Sequence, residues 1–413
     1  MVSTTNSSRI YATPAKFKDM NPTQTIIIEL TEYEKKLFSV DEIPNSAGVE
    51  LYEKYKNQVD VEFSSYKTGN KWQLKAKGWV GYIPITPELA LKLNPKVPIK
   101  NIFGMLEYAY NLKSFRFLEG LMDCESLEEF YNHLAYVLAQ KILERCRKGL
   151  YRTYLPKTKQ LAYVRGRLNV RELIQKPWNV QLKCSYEEHT ADIVENQILT
   201  WTLFNIGRSG FCSEKVSPTV RKAYHTLQKL VTVQPCSVKD CSQLYNRLNE
   251  DYRVLHNLCR FFLENTVPSH QRGNHNILPF LVDMARLYEL FVAEWLKANL
   301  SPDLILKSQE RVNLAENLYF KTDLVLYDAL TAKPRYILDT KYKTPASPSS
   351  QDVAQVVAYA VSKNCQEVIL VYPTSLTSSL DKFIGDIRVR NLTFSLDDNL
   401  DRAGQTFLQK LLF

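Results

Sequence analysis

Apolar and polar positions change their rhythm along the chain, and the changes divide it into regions. Thr25–Leu30 is an apolar run that predicts a buried strand. Val61–Ser65, Trp72–Lys77 and Val80–Ile85 alternate apolar with polar residues, the two-residue period of half-buried strands. Thr68-Gly69-Asn70 supplies a turn between the first two of these, and Asn94-Pro95-Lys96-Val97-Pro98 ends the β-rich pattern. A helical period follows over Ile102–Leu112. Ser126, with Glu129 three residues on, forms a capping box that opens an amphipathic helix to about Lys148. Tyr151–Lys159 reads as a loop. Asp192–Ile206, Pro218–Val231 and Lys239–Leu263 read as helices, and Val267–Ile277, with Pro268 and Gly273, as a domain boundary.

Beyond that boundary the pattern becomes mixed α/β. A helix over Leu281–Leu300 precedes strands at Leu304–Ser308, Leu318–Tyr327 and Tyr336–Lys341. A helix over Gln351–Ser362, strands at Glu367–Tyr372 and Ile387–Phe394, and a helix from Leu400 complete it. The expected architecture is therefore α+β and multidomain. A disordered tail (1–22) precedes a β-rich N-terminal domain (23–125), a mainly helical basic middle region (126–275) and a C-terminal α/β domain (276–413).

Composition narrows the function classes. No apolar run approaches 18 residues, so no transmembrane helix is expected, and Met1–Asn21 lacks the apolar core of a signal peptide. The eight cysteines are scattered without a Cys-x-x-Cys pair, which predicts reduced thiols in a cytoplasmic protein and no zinc site. From Lys141 to Lys176, eleven Lys/Arg stand against Glu144 and Glu172, a surplus equal to the whole chain's net charge of +9. Such a basic concentration is the footprint of a polyanionic partner. No Gly-Lys dipeptide occurs, so there is no Walker A loop and this chain is not itself a P-loop motor.

The strongest chemical signal is Tyr336-Ile337-Leu338-Asp339-Thr340-Lys341, an apolar strand running into Asp-x-Lys. Positions i and i+2 of a strand share a face, so Asp339 and Lys341 project together. Asp323, in Lys-Thr-Asp-Leu-Val-Leu, precedes them on another strand, and neighbouring strands can bring both aspartates to one cation. Phosphodiester hydrolysis uses such a set: carboxylates are hard ligands for Mg²⁺, with Mn²⁺ as a substitute, and a lysine positions water or stabilises developing charge. Glu289, on the helix before the sheet, is a further candidate beside the metal. Gln355 and Tyr359 are i and i+4 and share one helix face, where Gln could hold a catalytic or DNA group with Tyr behind it.

The order of acid, Asp-x-Lys and Gln-x-x-x-Tyr resembles the PD-(D/E)XK nuclease superfamily, with Thr322 in place of the superfamily's proline. Further segments resemble the McrC family, the nuclease subunits of modification-dependent McrBC restriction systems. They are Gly81-Tyr82-Ile83-Pro84-Ile85, Gly104-Met105-Leu106-Glu107-Tyr108, Tyr163-Val164-Arg165-Gly166-Arg167-Leu168, Asp192-Ile193-Val194-Glu195-Asn196, Leu287-Tyr288-Glu289-Leu290-Phe291 and Asp339-Thr340-Lys341-Tyr342-Lys343.

That resemblance implies a Mg²⁺-dependent endodeoxyribonuclease with Asp323, Asp339, Lys341 and Glu289 at its centre, the two aspartates as metal ligands. It implies a hexameric AAA+ GTPase of the McrB type as partner, docked on the β-rich N-terminal domain, and double-stranded DNA carrying modified cytosine as substrate. Arg165, Arg167, Lys157 and Lys159 are candidates to touch DNA or the motor. Their alternative is structural, with the arginines bonding carboxylates such as Asp192 or Glu195. The competing functions are a non-cleaving activator of the motor and a stand-alone repair nuclease.

Overall fold

The computed structural model describes residues 26–86, 88–110, 126–175, 178–209, 211–266, 279–315, 318–396 and 399–412. The chain is mixed α+β, with several sheets held by one large apolar core and two satellite cores.

The N-terminal region holds β1 (Ile26–Thr31), β2 (Lys35–Phe38), α1 (Asn45–Tyr55), β3 (Val59–Glu62), β4 (Trp72–Ala76), β5 (Trp79–Thr86) and β6 (Leu89–Asn94). Strands expected at 72–77 and 80–85 are β4 and β5, and the third lies two residues earlier than its pattern suggested, as β3. Gly69 and Asn70 take the left-handed backbone conformation in the expected turn. The pattern did not reveal α1 or β6. Strands β2-β4-β3 form one antiparallel sheet, and β1-β6-β5 form a mixed one, with β1 parallel and β5 antiparallel to β6, around Leu51, Trp72, Leu74, Ile83 and Leu91. The second sheet gains a fourth strand from far along the chain, β10 (Phe280–Asp283), antiparallel to β5. Gly81 makes this pairing fit: its φ is +142°, and a Cβ there would lie 2.1 Å from the carbonyl oxygen of Phe280.

The middle region begins with α2 (Ile99–Ala109) and α3 (Leu127–Lys148); Ser126 caps α3 by accepting from the Glu129 amide at 3.1 Å. The segment read as a loop at 151–159 is instead strand β7 (Thr153–Leu161), and β8 (Arg167–Leu168) follows, then α4 (Val170–Gln175) and β9 (Leu182–Thr190). β9 pairs along the full length of β7 and with β8. No β7 residue is buried, so the strand lacks the apolar alternation that would announce it. The helices α5 (Val194–Gly207) and α6 (Ser217–Gln228) match their patterns.

The helix expected over 239–263 is broken: a single 3₁₀ turn at Val238–Cys241, an irregular stretch, then α7 (Tyr252–Asn265). Side chains break it. The Asn246 amide donates to Asn249 Oδ1 at 2.7 Å and the Leu248 amide to Asn246 Oδ1 at 2.8 Å, offering the backbone local partners instead of helical ones. The boundary expected at 267–277 lies outside the described residues.

The C-terminal part contains α8 (Met284–Asn299), β11 (Leu304–Ala315), β12 (Leu318–Asp328), β13 (Pro334–Thr340), α9 (Ser350–Lys363), β14 (Glu367–Tyr372), β15 (Asp381–Ile384), β16 (Ile387–Thr393) and α10 (Leu400–Leu412). The helix expected from Leu281 starts three residues later because β10 occupies its first turn; Asp283 then caps α8 through the Ala285 and Arg286 amides. The sheet order is β11-β12-β13-β14-β16-β15, antiparallel across β11-β12-β13 and parallel across β13-β14-β16. One sheet face, with Leu324, Leu326, Leu338 and Ile369, joins the large core shared with α2, α3, α7 and α8. The other, with Val325, Ile337, Val368 and Leu370, packs on Val356, Tyr359 and Ala360 of α9. Thus α9 is the crossover between parallel β13 and β14, and it covers the face to which Asp323 and Asp339 belong by strand parity.

Candidate active site

The site forms where β12 and β13 run side by side. Leu324 pairs with Leu338, which brings Asp323 level with Asp339 on the same face. Asp323 Oδ2 accepts from the Thr340 amide at 2.9 Å and from the Thr340 hydroxyl at 3.0 Å. Burial raises the Asp323 carboxyl above the usual range despite those bonds.

Asp339 is 1% exposed. Burial first, and then the neighbouring charge of Asp323, push its carboxyl up to about 7. The Lys341 Nζ lies 2.7 Å from Asp339 Oδ2, a close ion pair that opposes this rise without cancelling it.

Lys341 follows β13, and its amide donates to the Val371 carbonyl of β14 at 2.8 Å. Burial works against its charge, but Asp339, Asp323 and Asp352 outweigh it and hold the ammonium above the ordinary lysine value. Its Nζ also donates to Gln355 Oε1 at 3.1 Å, and Gln355 Nε2 donates to the Tyr359 hydroxyl at 2.6 Å. The shared helix face of Gln355 and Tyr359 thus becomes a chain of contacts ending on Lys341, with Tyr359 edge-on to Phe320.

Glu289 reaches the cluster from α8. Burial, then Asp323, push its carboxyl up to about 7, and its Oε1 accepts from Gln309. Gln309 faces Asp323 across β11–β12 with φ +58°, in a gap between the Ser308–Leu324 and Glu310–Thr322 pairs.

Asp352 also belongs here, and the sequence reading assigned it no role. It sits in the first turn of α9, accepts from the Ser349 hydroxyl at 2.7 Å and from Lys343 Nζ at 2.5 Å, and lies 4.0 Å from Lys341. Burial opposes its ionisation, but Lys343 and Ser349 win and hold its carboxyl below the usual range. Ser349-x-x-Asp352 is a helix-start pattern that was legible in the sequence.

The basic candidates lie on a separate sheet, β7-β9-β8. Lys157 and Arg165 both approach Glu188, Arg165 at 4.0 Å, and the Arg165 guanidinium stacks 4.0 Å over the Tyr186 ring. Asp192, by contrast, is bonded by Thr232 and Gln197. Lys159 pairs with Cys184 and Arg167 with Ser185 along β9, and among the described residues neither makes an ion pair. Gly166 between the arginines has φ +67°, and a Cβ there would meet Ser185 O at 2.5 Å. The seven described cysteines are free thiols.

The family described as McrBC 5-methylcytosine restriction system component matches residues 74–373. The chain belongs to this family. The match includes Glu289, Asp323, Asp339, Lys341, Gln355 and Tyr359. A curated relative, the type IV methyl-directed restriction enzyme EcoKMcrBC of Escherichia coli (strain K12), is 22% identical over 214 residues. That alignment takes in 50% of this chain and 61% of the relative, so the chain spans about three-fifths of the relative's length.

In fold, the chain is similar to a chain of the refined half-complex from a tetradecameric assembly of Thermococcus gammatolerans McrB AAA+ hexamers with bound McrC. The TM-score is 0.56 at 18% identity, covering 94% of this chain and 99% of that one. A chain of the cryo-EM structure of the Thermococcus gammatolerans McrBC complex matches at TM-score 0.43 and 20% identity, over 67% and 88% of the two chains. Among the described residues, no helix is long and apolar enough to cross a membrane.

Proposed function

We propose that this chain is the DNA endonuclease subunit of a modification-dependent restriction system, working with a hexameric AAA+ GTPase on double-stranded DNA carrying modified cytosine. Its C-terminal part is, on this reading, a PD-(D/E)XK-type domain. The observation that carries the proposal is the pairing of half-buried Asp323 with buried Asp339 at one level of adjacent strands, with the Lys341 ammonium 2.7 Å from Asp339. Family membership and the methyl-directed relative support the substrate class, and the solved assembly with McrB hexamers supports the partner.

The residues fit a hard divalent cation. Two carboxylates side by side, desolvated by burial and with the charge of Asp323 raising the proton affinity of Asp339, are the environment such an ion would relieve. Among the described residues no three His, Cys, Asp or Glu stand as a ready cage, so Asp323 and Asp339 would hold Mg²⁺ as a pair, water and phosphate oxygens completing its shell. Bound there, the ion would polarise the phosphoryl oxygen and acidify a water.

The chain's own groups divide the remaining work. Lys341 stays protonated, so it stabilises negative charge on the phosphate instead of accepting a proton. Gln355, anchored on Tyr359, aims that ammonium. Glu289 holds its proton affinity near neutrality and orients water on the α8 side.

To the β-rich N-terminal domain, which the resemblance implies as the docking part, we add the β7-β9-β8 sheet and α4 as a second surface for the motor. No residue of β7, β8 or α4 is buried, while Tyr154, Tyr163, Val164, Ile174, Trp178 and Val180 are exposed, which is apolar surface suited to a protein partner.

The test is cleavage of cytosine-methylated plasmid by the purified chain with Mg²⁺, with and without a cognate AAA+ partner and GTP. Cleavage that needs partner and GTP and disappears in Asp339→Ala supports the proposal. Cleavage without the partner indicates a stand-alone nuclease. No cleavage with stimulated partner GTPase overturns the nuclease assignment.

A further inference from the structure

The residue after Lys341 is held by the opposite end of the chain. Tyr342 is buried, and its hydroxyl donates to Glu32 Oε2 at 3.1 Å. Its carbonyl accepts from the hydroxyl of the next N-terminal residue, Tyr33, at 3.3 Å. Two consecutive side chains just beyond β1 thus take both polar ends of one residue that adjoins the Asp-x-Lys motif.

The N-terminal side of this contact is built to stay in place. Glu32 is 0% exposed, its Oε2 also accepts from the Lys96 amide at 3.0 Å, and its own amide donates to the Asn94 carbonyl at 3.0 Å. Its other oxygen, Oε1, is buried without a partner, an unfavourable arrangement that a merely space-filling residue would avoid. Tyr33 has φ +62°, a strained conformation for a bulky residue. That turn points Glu32 and Tyr33 at the same target, and the Lys96 ammonium lies 5.3 Å over the Tyr33 ring. On the far side, the Tyr342 ring lies 6.0 Å from that of Tyr288, the neighbour of Glu289 on α8.

The backbone at Lys341 is consequently pinned twice. Its amide is bound by Val371 of β14, and the following residue by Glu32 and Tyr33. We propose that Glu32 and Tyr33 are positioning residues that clamp Tyr342 and so hold Lys341 in line with Asp323 and Asp339, making the N-terminal region part of the catalytic centre. The proposal rests on the nuclease assignment for its effect on rate, but not for the clamp itself.

The experiment compares the full chain with Glu32→Ala, Glu32→Gln, Tyr33→Phe and Tyr342→Phe. It measures backbone hydrogen exchange over residues 340–344 and the kcat and KM of Mg²⁺-dependent plasmid cleavage with partner and GTP. Glu32→Ala is expected to speed exchange over 340–344 at least tenfold and lower kcat at least tenfold with KM unchanged. Glu32→Gln, whose carbonyl still accepts from Tyr342 and Lys96, restores most of both. A general loosening would instead spread exchange through β1 and β6 and raise KM as well, and would overturn the proposal. Parental exchange over 340–344 in folded Glu32→Ala, or lost protection with unchanged kcat, would also overturn it. If Glu32→Ala does not fold, Tyr33→Phe and Tyr342→Phe each remove one hydroxyl and decide the matter by the same criteria. If the parent cleaves nothing, the nuclease assignment fails, while the exchange arm still decides the clamp.

Discussion

Asp323 is bonded twice by Thr340, through the amide at 2.9 Å and the hydroxyl at 3.0 Å, and Thr340 is the residue between Asp339 and Lys341. One acid of the candidate site therefore fixes the backbone that carries the other two groups. The Asp-x-Lys motif works as a unit with the preceding strand, because its middle residue ties the two strands together where the Leu324–Leu338 ladder ends.

Removing the Lys341 ammonium should cost catalysis and little else. Lys341→Met should lower kcat about 10²- to 10³-fold, the usual cost of one charge-stabilising donor. Gln355→Ala should give a smaller loss, since it aims the ammonium without supplying the charge. Single-turnover cleavage measures both. Parental rates in Lys341→Met would remove it from the centre.

The acid cluster predicts a pH-dependent stability. Burial and Asp323 place the Asp339 carboxyl at about 7 in the folded chain, well above its unfolded value. A group raised in this way stabilises the fold fully below its unfolded value and loses that contribution as pH rises through about 7. Asp339→Asn, which cannot ionise, should therefore raise the melting temperature at pH 8, and the gain should shrink at pH 5.

For the unsubstituted chain, Mg²⁺ should raise the melting temperature more at pH 8 than at pH 6, because protons compete with the ion for the carboxylates. Equal Mg²⁺ shifts at both pH values would show that these acids do not bind it.

Gly81→Ala should destabilise the chain by about 1–3 kcal/mol, the cost of forcing atoms into a packed interior. The new Cβ would meet the Phe280 carbonyl at 2.1 Å, and the backbone at φ +142° disfavours any side chain. Denaturant unfolding should show a lower midpoint, and an unchanged midpoint would mean that β10 can detach from β5 without cost.

The exposed sheet makes a separable prediction. Trp178→Ser with Val180→Ser alters two side chains that are 77% and 86% exposed, so the melting temperature should hold. Stimulation of the partner GTPase should fall while Mg²⁺ still stabilises the fold. Full stimulation in this variant would exclude this second docking surface.

The sequence by itself determined the elements whose signals are local. Ser126 opened α3, the apolar runs gave β12, β13 and β14, and the i, i+4 spacing put Gln355 and Tyr359 on one face of α9. Asp323, Asp339 and Lys341 could be named because strand parity fixes which side chains project together. Other features depended on partners distant in the chain. β7 carries no buried side to announce it, β10 is a strand only because Gly81 lets β5 receive it, and the 239–263 helix breaks on asparagines that bond to the local backbone. The tertiary structure alone brought Glu32 and Tyr33 to Tyr342, across 310 and 309 residues of chain. No periodicity encodes such a pair, because a buried carboxylate and a buried hydroxyl become partners only when folding removes both from water.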